Sequence, residues 1–211
     1  MNKDLRLSKV LQIVILAIIL ILISLNISQL RLLLLLIPVP FALIGTLSNL
    51  TNSIASLIII FLALAYMIKP IQAMDIFINS IVPGLIIGII AKKVIREKDS
   101  NKYEPIFMGS IVFIIAIIAY YFMYKYAFKI DILNEFLQIL DKGLESQKDV
   151  LKSAGNELLK SDTFRKIIPS VLFFRSMILS IIIYLIEIFL LRRMKYDDLS
   201  EIKFKNFYLP G

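Results

Sequence analysis

Six strongly apolar runs of about twenty residues, separated by short charged stretches, constrain the fold of this chain more than any other sequence feature. A helix of that length crosses the roughly 30 Å hydrocarbon core of a bilayer. Inside that core every backbone N–H and C=O must be bonded internally, which a helix achieves within a single segment. The runs therefore predict six transmembrane helices, with the bounds Val10–Asn26, Leu30–Ser48, Ile54–Ile68, Ile71–Ala91, Pro105–Phe128 and Ile167–Leu191.

The overall composition supports a membrane protein and excludes several kinds of site. The 211 residues are 59% hydrophobic, a larger share than soluble domains usually have. The sequence contains no cysteine and no histidine, which excludes disulfides, thiolate metal sites and histidine acid–base chemistry. It also contains no P-loop and no serine–histidine arrangement. We therefore predict no cofactor, no metal site and no enzymatic activity.

The positions of the basic residues predict the orientation of the chain in the membrane. The Lys and Arg residues behind the net charge of +8 cluster at the ends of the apolar runs. Such clusters indicate membrane topology and contact with anionic lipid, and not nucleic-acid binding. With six spans, three clusters share one side of the bilayer: Lys3, Arg6 and Lys9; Lys92, Lys93, Arg96, Lys98 and Lys102; and Arg192, Arg193 and Lys195. Because the short connections on the opposite side carry only Arg31 and Lys69, the positive-inside rule places both termini in the cytoplasm.

Residues 130–168 differ from the apolar runs in charge and in periodicity. Their charges alternate in sign, and their apolar residues recur at helical spacing. This pattern predicts an amphipathic helix, or two helices broken near Gly143 or Gly155. The topology puts this insertion outside the cytoplasm, where such a helix lies on the membrane surface, caps the bundle or binds a partner. We expect an all-α polytopic bundle that forms one membrane domain over residues 1–211 and includes this extracytoplasmic insertion.

Polar residues inside the apolar runs mark a candidate binding site. Arg175 lies about 12 Å from the outer end of the sixth run, where even lenient insertion scales assign an arginine a cost of about 2.5 to 3.5 kcal/mol. Asp75 and Asn79 lie one turn apart on one face of the fourth run, at a similar depth. Pro38 and Pro40 interrupt the second run, and discontinuous helices at mid-depth form solute sites in many transporters.

Two interpretations of these residues remain open. In the first, Arg175, Asp75 and Asn79 line an outward-facing polar cavity, with Pro38 and Pro40 beside it, that binds a small anionic solute. In the second, Arg175 and Asp75 pair with each other, or each side chain extends to the nearer membrane surface.

Three further features predict structural roles. Glu187 lies about one turn before Arg192 and Arg193, which predicts an ion pair at the membrane interface. Gly84 and Gly88 form a G-x-x-x-G motif, which permits close packing of two helices. Aromatic residues at the end of the fifth run predict a belt at the outer interface, made of Tyr120, Tyr121, Tyr124 and Tyr126 with Lys125 and Lys129.

Several short motifs carry a family resemblance that extends over most of the chain. They are the stretches Pro38–Phe41 and Val82–Gly84, the acidic–basic helix before Pro169, and the terminal stretch Phe204–Pro210. In these motifs the sequence resembles the YybS-like family of predicted bacterial membrane proteins, whose function is unknown. The resemblance implies a multi-span architecture in the bacterial cytoplasmic membrane. In broad layout the chain is also similar to the small substrate-binding subunits of energy-coupling-factor vitamin transporters.

The terminal stretch departs from the pattern of that family. Phe207 stands where the family has the tryptophan of an F-x-x-W-x-x-P motif, which ends here at Pro210. Family members typically continue with further spans, whereas this sequence has one more residue. The resemblance therefore leaves open whether the chain is a shortened relative or a fragment.

Two functions are consistent with these patterns. The first is a solute-binding transporter subunit with an outward-facing polar site, which needs a separate energy-coupling protein. The alternative is a non-transporting membrane scaffold in envelope biology or signalling. Such a scaffold would dock a partner through the insertion at 130–168 or through the basic cytoplasmic loop.

Overall fold

The fold is a bundle of helices. The computed structural model describes residues 7–96, 101–146 and 161–194, and every regular element in these ranges is helical. In chain order the elements are α1 (Leu7–Asn26), a 3-10 helix (Ser28–Leu36), α2 (Pro38–Leu47), α3 (Leu50–Met67), α4 (Pro70–Ile76), a π-helical turn (Phe77–Ile81), α5 (Val82–Arg96), α6 (Glu104–Ala127), α7 (Ile132–Ser146) and α8 (Ser161–Arg193).

Six stretches of helix are long and apolar enough to cross a membrane. They are Ser8–Asn26, Ser28–Leu47, Leu50–Met67, Pro70–Arg96, Glu104–Ala127 and Lys166–Arg193. Each one overlaps an apolar run of the sequence, so the prediction of an all-α polytopic membrane bundle with six spans is confirmed. The second and fourth spans each combine two kinds of helix, and in both cases a proline explains the change.

The second span changes from a 3-10 helix to an α-helix at Pro38. Pro38 has no N–H and its ring blocks an α-helical bond to the carbonyl of Leu34. That carbonyl instead accepts a 3.3 Å bond from Ile37 N–H, which belongs to the tighter 3-10 geometry. Proline is well suited to the first turn of a helix, and α2 begins at Pro38. The predicted interruption of this span is therefore present as a change of helix type.

The fourth span contains a widened turn just before Pro83. The segment Phe77–Ile81 is π-helical, and Val82 N–H bonds to the carbonyl of Phe77, five residues earlier. Because Pro83 lacks an N–H and crowds the carbonyl of Asn79, the normal α-helical pattern cannot continue through this turn. The wider turn keeps the span helical and places Asn79 within it. Such π-helical turns occur frequently at functional sites.

Spans two and four cross with their backbones almost in contact, and glycines make this approach possible. A Cβ atom added to Gly84 would lie 2.3 Å from the carbonyl oxygen of Pro38. One added to Gly88 would lie 1.9 Å from the oxygen of Ala42, and one added to Gly45 would lie 2.4 Å from that of Leu85. The predicted packing role of the G-x-x-x-G motif is confirmed. The 3-10 helix and the π-helical turn lie next to α2 and α5 in the chain, and both contribute residues to one cavity.

The remaining helices pack on two sides of this crossing. On one side a buried apolar core joins α1, α2, α3 and α4, and includes Ile21, Phe41, Ile60 and Ala73. On the other side α6 and α8 pack against each other and against α5. The apolar core on the first side packs α1 and α3 against α2 and α4.

Helix α7 lies across one end of the bundle, against α6 and α8. The chain reaches it through Lys129, whose φ of 57° is left-handed, while Ile130 N–H closes α6 by bonding to the carbonyl of Tyr124. Leu137 is buried and anchors the helix, whereas Ile139 is 70% exposed. We call this end of the molecule the α7 end. Residues 147–160 of the predicted insertion and the terminal motif Phe204–Pro210 lie outside the described residues, and the last part of the insertion belongs to α8.

Candidate functional site

A cavity of about 930 Å³ opens at the α7 end of the bundle. Its walls come from the second, fourth, fifth and sixth spans and from α7, which closes part of its mouth. The second span contributes Leu34, Leu35, Ile37 and Pro38, and the fourth contributes Asp75, Ile76, Asn79 and Ser80. Helix α7 contributes Ile132, Leu133 and Phe136. The other lining residues lie between Phe113 and Phe122 of α6 and between Ile167 and Leu179 of α8. Its size is at the upper end of the range for small-molecule sites.

Asp75 and Asn79 form a polar pair on the wall made by the fourth span. Asn79 Nδ2 donates a 2.7 Å hydrogen bond to Asp75 Oδ1. Asp75 is on α4 and Asn79 is in the π-helical turn, so the widened turn and the helix before it together aim both side chains at the cavity. Asn79 Oδ1 is buried and has no hydrogen-bond partner among the residues that the structure describes. The pair gives this wall a negative charge and a fixed amide.

Arg175 lies on the wall made by α8, and its side chain is exposed to the cavity. The charges of Arg175 and Asp75 are close enough to interact. Within the described ranges, however, no hydrogen bond or ion pair joins the two groups. The predicted convergence of Arg175, Asp75 and Asn79 on one cavity is therefore present in the structure. The cation keeps its hydrogen-bond donors available for a further group.

The two prolines of the second span differ in their position relative to the cavity. Pro38 lines the cavity, and Pro40 does not. We predicted that Pro40 belongs to the site, but it does not line the cavity, because residues two apart on a helix point to nearly opposite sides. Pro40 lies in the first turn of α2.

Aromatic residues of α6 are part of the site, although the sequence interpretation assigned them to an interface belt. Tyr120 and Tyr121 both line the cavity, as does Phe113 about two turns earlier. The ring of Tyr120 packs against that of Tyr124, with 4.5 Å between the ring centroids. Helical spacing was the signal that could have found them, since positions 113, 117, 120 and 121 share one face.

A second polar cluster lies away from this cavity, at the crossing of spans two and four with α8. Glu187 is completely buried, and the hydroxyl of Thr46 donates a hydrogen bond to its carboxyl group. Thr46 Oγ1 also lies 2.9 Å from the carbonyl oxygen of Gly88. The predicted interfacial ion pair of Glu187 with Arg192 and Arg193 is wrong. The helix turns this carboxyl group inward, towards α2 and α5, while both arginines stay exposed.

The polar groups of the two clusters differ in what they can bind. The cavity at the α7 end offers one cation, one anion and one amide to a ligand. The Glu187 cluster is enclosed, and one carboxyl oxygen there has no hydrogen-bond partner in the described part of the chain. Among the described residues, no group of three or more carboxylates could hold a metal ion. The cavity is therefore the candidate binding site.

Comparison with known proteins places the chain in a family. Residues 14–211 match a family described as "Predicted membrane protein (DUF2232)". No curated protein and no solved structure matches the chain. Because the match covers nearly the whole sequence, this chain belongs to that family of predicted membrane proteins.

Proposed function

We propose that this chain is a solute-binding subunit of a membrane transporter, with its site in the cavity at the α7 end. In this role Arg175 binds an anionic group of the solute, and Asn79 positions a polar group beside it. Asp75 balances the charge of Arg175 when the site is empty. The role is binding and not catalysis, and transport requires a separate energy-coupling protein.

One observation carries this proposal: polar residues from three separate spans meet on one cavity. An arginine in a membrane span costs about 2.5 to 3.5 kcal/mol even on lenient scales. A purely structural arginine would offset this cost by a direct ion pair, and Arg175 has none among the described residues. An anionic ligand supplies the missing partner.

The finer assignments belong to the same proposal. We assign the chain to the YybS-like group, in the bacterial cytoplasmic membrane, with both termini in the cytoplasm and the α7 end outside. The layout is similar to that of substrate-binding subunits of energy-coupling-factor transporters, which also have six helices and an outward-facing site. This similarity is one of architecture and supports the proposal only at that level.

The proposal is tested by identifying what co-purifies with the protein. Molecules extracted from detergent-solubilised wild type are compared by mass spectrometry with those from Arg175→Ala and from the control Arg193→Ala, which removes an exposed cation elsewhere on α8. We expect at least one molecule to be present with wild type and control and lost with Arg175→Ala. If all three proteins carry the same molecules, the cavity is not a binding site.

A second function has a separate observation in its favour. Helix α7 presents Ile139, which is 70% exposed, and Phe136, which is half exposed, at the end of the bundle. Exposed apolar groups on an amphipathic helix are typical of a surface that docks on a membrane or a partner. If α7 is the functional surface of a scaffold, Ile139→Ser abolishes a defined partner complex while Arg175→Ala leaves it intact.

A further inference from the structure

The chemistry of the cavity walls narrows the class of ligand. Six polar side chains line the cavity among the described residues: Asp75, Asn79, Ser80, Tyr120, Tyr121 and Arg175. All other lining residues are apolar. A small, highly charged solute would leave most of this wall unmatched, because it has no apolar surface to bury. A ligand that fills the cavity needs a polar head and a large apolar body.

The cavity wall includes half-exposed apolar side chains that lie within the membrane spans. Ile118 and Phe122 of α6 and Val171 of α8 line it, and each is between 48% and 55% exposed. All three belong to the spans Glu104–Ala127 and Lys166–Arg193. Acyl chains are as apolar as leucine, so this part of the wall is suited to contact with the chains of a lipid.

The charges on the two walls specify the head of this lipid. Arg175 presents N–H donors to an anionic group, such as a phosphate, in a geometry suited to two parallel bonds. Asp75 presents a carboxylate, which accepts hydrogen bonds but cannot donate them while it is ionised. A head that matches both walls carries an anion together with an O–H or N–H donor.

We infer, on the basis of the proposed function, that the ligand is a membrane phospholipid whose head carries a hydrogen-bond donor beside its phosphate. Phosphatidylethanolamine has an ammonium group and phosphatidylglycerol has hydroxyl groups in that position. Phosphatidylcholine has the same phosphate and a quaternary ammonium without any N–H. The phosphate binds Arg175, the donor binds Asp75, and the acyl chains lie along the apolar wall.

The test is native mass spectrometry of the full-length protein titrated with these three lipids, all with identical acyl chains. Wild type should retain phosphatidylethanolamine and phosphatidylglycerol about tenfold better than phosphatidylcholine, because a hydrogen bond to a charged group is worth about that factor. Arg175→Gln should lose this retention. Asp75→Asn, which replaces the charge with an amide, should reduce the discrimination against phosphatidylcholine. Arg193→Gln, the matched control, should behave like wild type.

A fourth probe separates this inference from the proposed function. Glycerophosphoethanolamine has the same head and no acyl chains, so it should not compete with the lipid. Equal retention of the three lipids by wild type overturns the inference. Competition by glycerophosphoethanolamine at similar concentration also overturns it, while the proposed function stands with a soluble ligand. If Arg175→Gln does not fold, the effect of Asp75→Asn on lipid discrimination still decides the matter.

Discussion

Polar residues within the membrane spans of this bundle differ in whether a neighbouring side chain forms a hydrogen bond with them. Glu187 has Thr46 as its hydrogen-bond donor, and Asp75 has Asn79. Both carboxyl groups are on helices that cross the apolar region, where an unbonded polar group costs several kcal/mol. Arg175 is the exception, since it interacts with Asp75 only at a distance. Glu187 and Thr46 therefore form a structural cluster, whereas Arg175 belongs to the candidate binding site.

The Thr46–Glu187 bond can be tested by removing its donor. Thr46→Val keeps the shape of the side chain and leaves the buried carboxyl group without a partner. We expect the free energy of unfolding to fall by about 1 to 3 kcal/mol, measured by denaturant titration in detergent micelles. Ser110→Ala is the matched control, because within the described ranges its buried hydroxyl bonds only to the carbonyl of Ile106 in its own helix. An equal loss in both variants would show that the bond to Glu187 has no special weight.

At the scale of elements, the crossing of α2 with α5 organises the molecule. The backbones approach so closely that a side chain at Gly84 or Gly88 would overlap with the opposite helix. The approach brings the hydroxyl of Thr46 to the carbonyl oxygen of Gly88. Both irregular helices end shortly before a proline, and both form part of the cavity wall.

The close packing at this crossing predicts that Gly88→Ala lowers the stability of the protein, whereas Gly143→Ala on α7 does not. Gly88→Ala places a methyl group 1.9 Å from the carbonyl oxygen of Ala42, so the helices must separate. We expect a loss of about 1 to 3 kcal/mol in stability, as for overpacked cores. Gly143→Ala on α7 adds a methyl group with no atom within 4 Å and should stabilise by about 0.5 to 1 kcal/mol. Thermal unfolding in detergent measures both, and a stable Gly88→Ala variant would contradict the packing described here.

At the scale of the whole molecule, the two ends of the bundle differ in chemistry. The α7 end carries the cavity with its aromatic wall. The opposite end carries exposed basic residues, including Lys93, Arg96 and Arg193. Basic residues of short connections tend to stay on the cytoplasmic side during insertion, which is the reason for expecting the cavity to face outward.

The orientation can be measured directly because the chain has no cysteine of its own. Gln138→Cys on α7 and Asn101→Cys in the basic loop each introduce one thiol at an exposed position. In intact cells, we expect a membrane-impermeant maleimide to label Gln138→Cys. It should label Asn101→Cys only after the membrane is permeabilised. The reverse pattern would place the cavity on the cytoplasmic side.

Much of this architecture could be predicted from the sequence, because the signals are local. Apolar length predicts the spans, and the two proline positions predict where helical bonding changes, since each proline removes its own N–H. Helical spacing alone places Asp75 beside Asn79. The helix face of Glu187 could not be predicted in the same way, because its distance from Arg192 along the chain did not reveal that Thr46 and Gly88 would surround it.

The sequence by itself determined the number of spans, their breaks and the residues whose charge requires a partner, because each of these depends on neighbours within a few turns. Only the tertiary structure decided which of those residues meet. The glycine crossing sets the rotation of α2 against α5, and with it whether a side chain points into the cavity, as at Pro38, or away from it, as at Pro40. Rotation about a helix axis is decided by packing between distant segments, which no single stretch of sequence specifies.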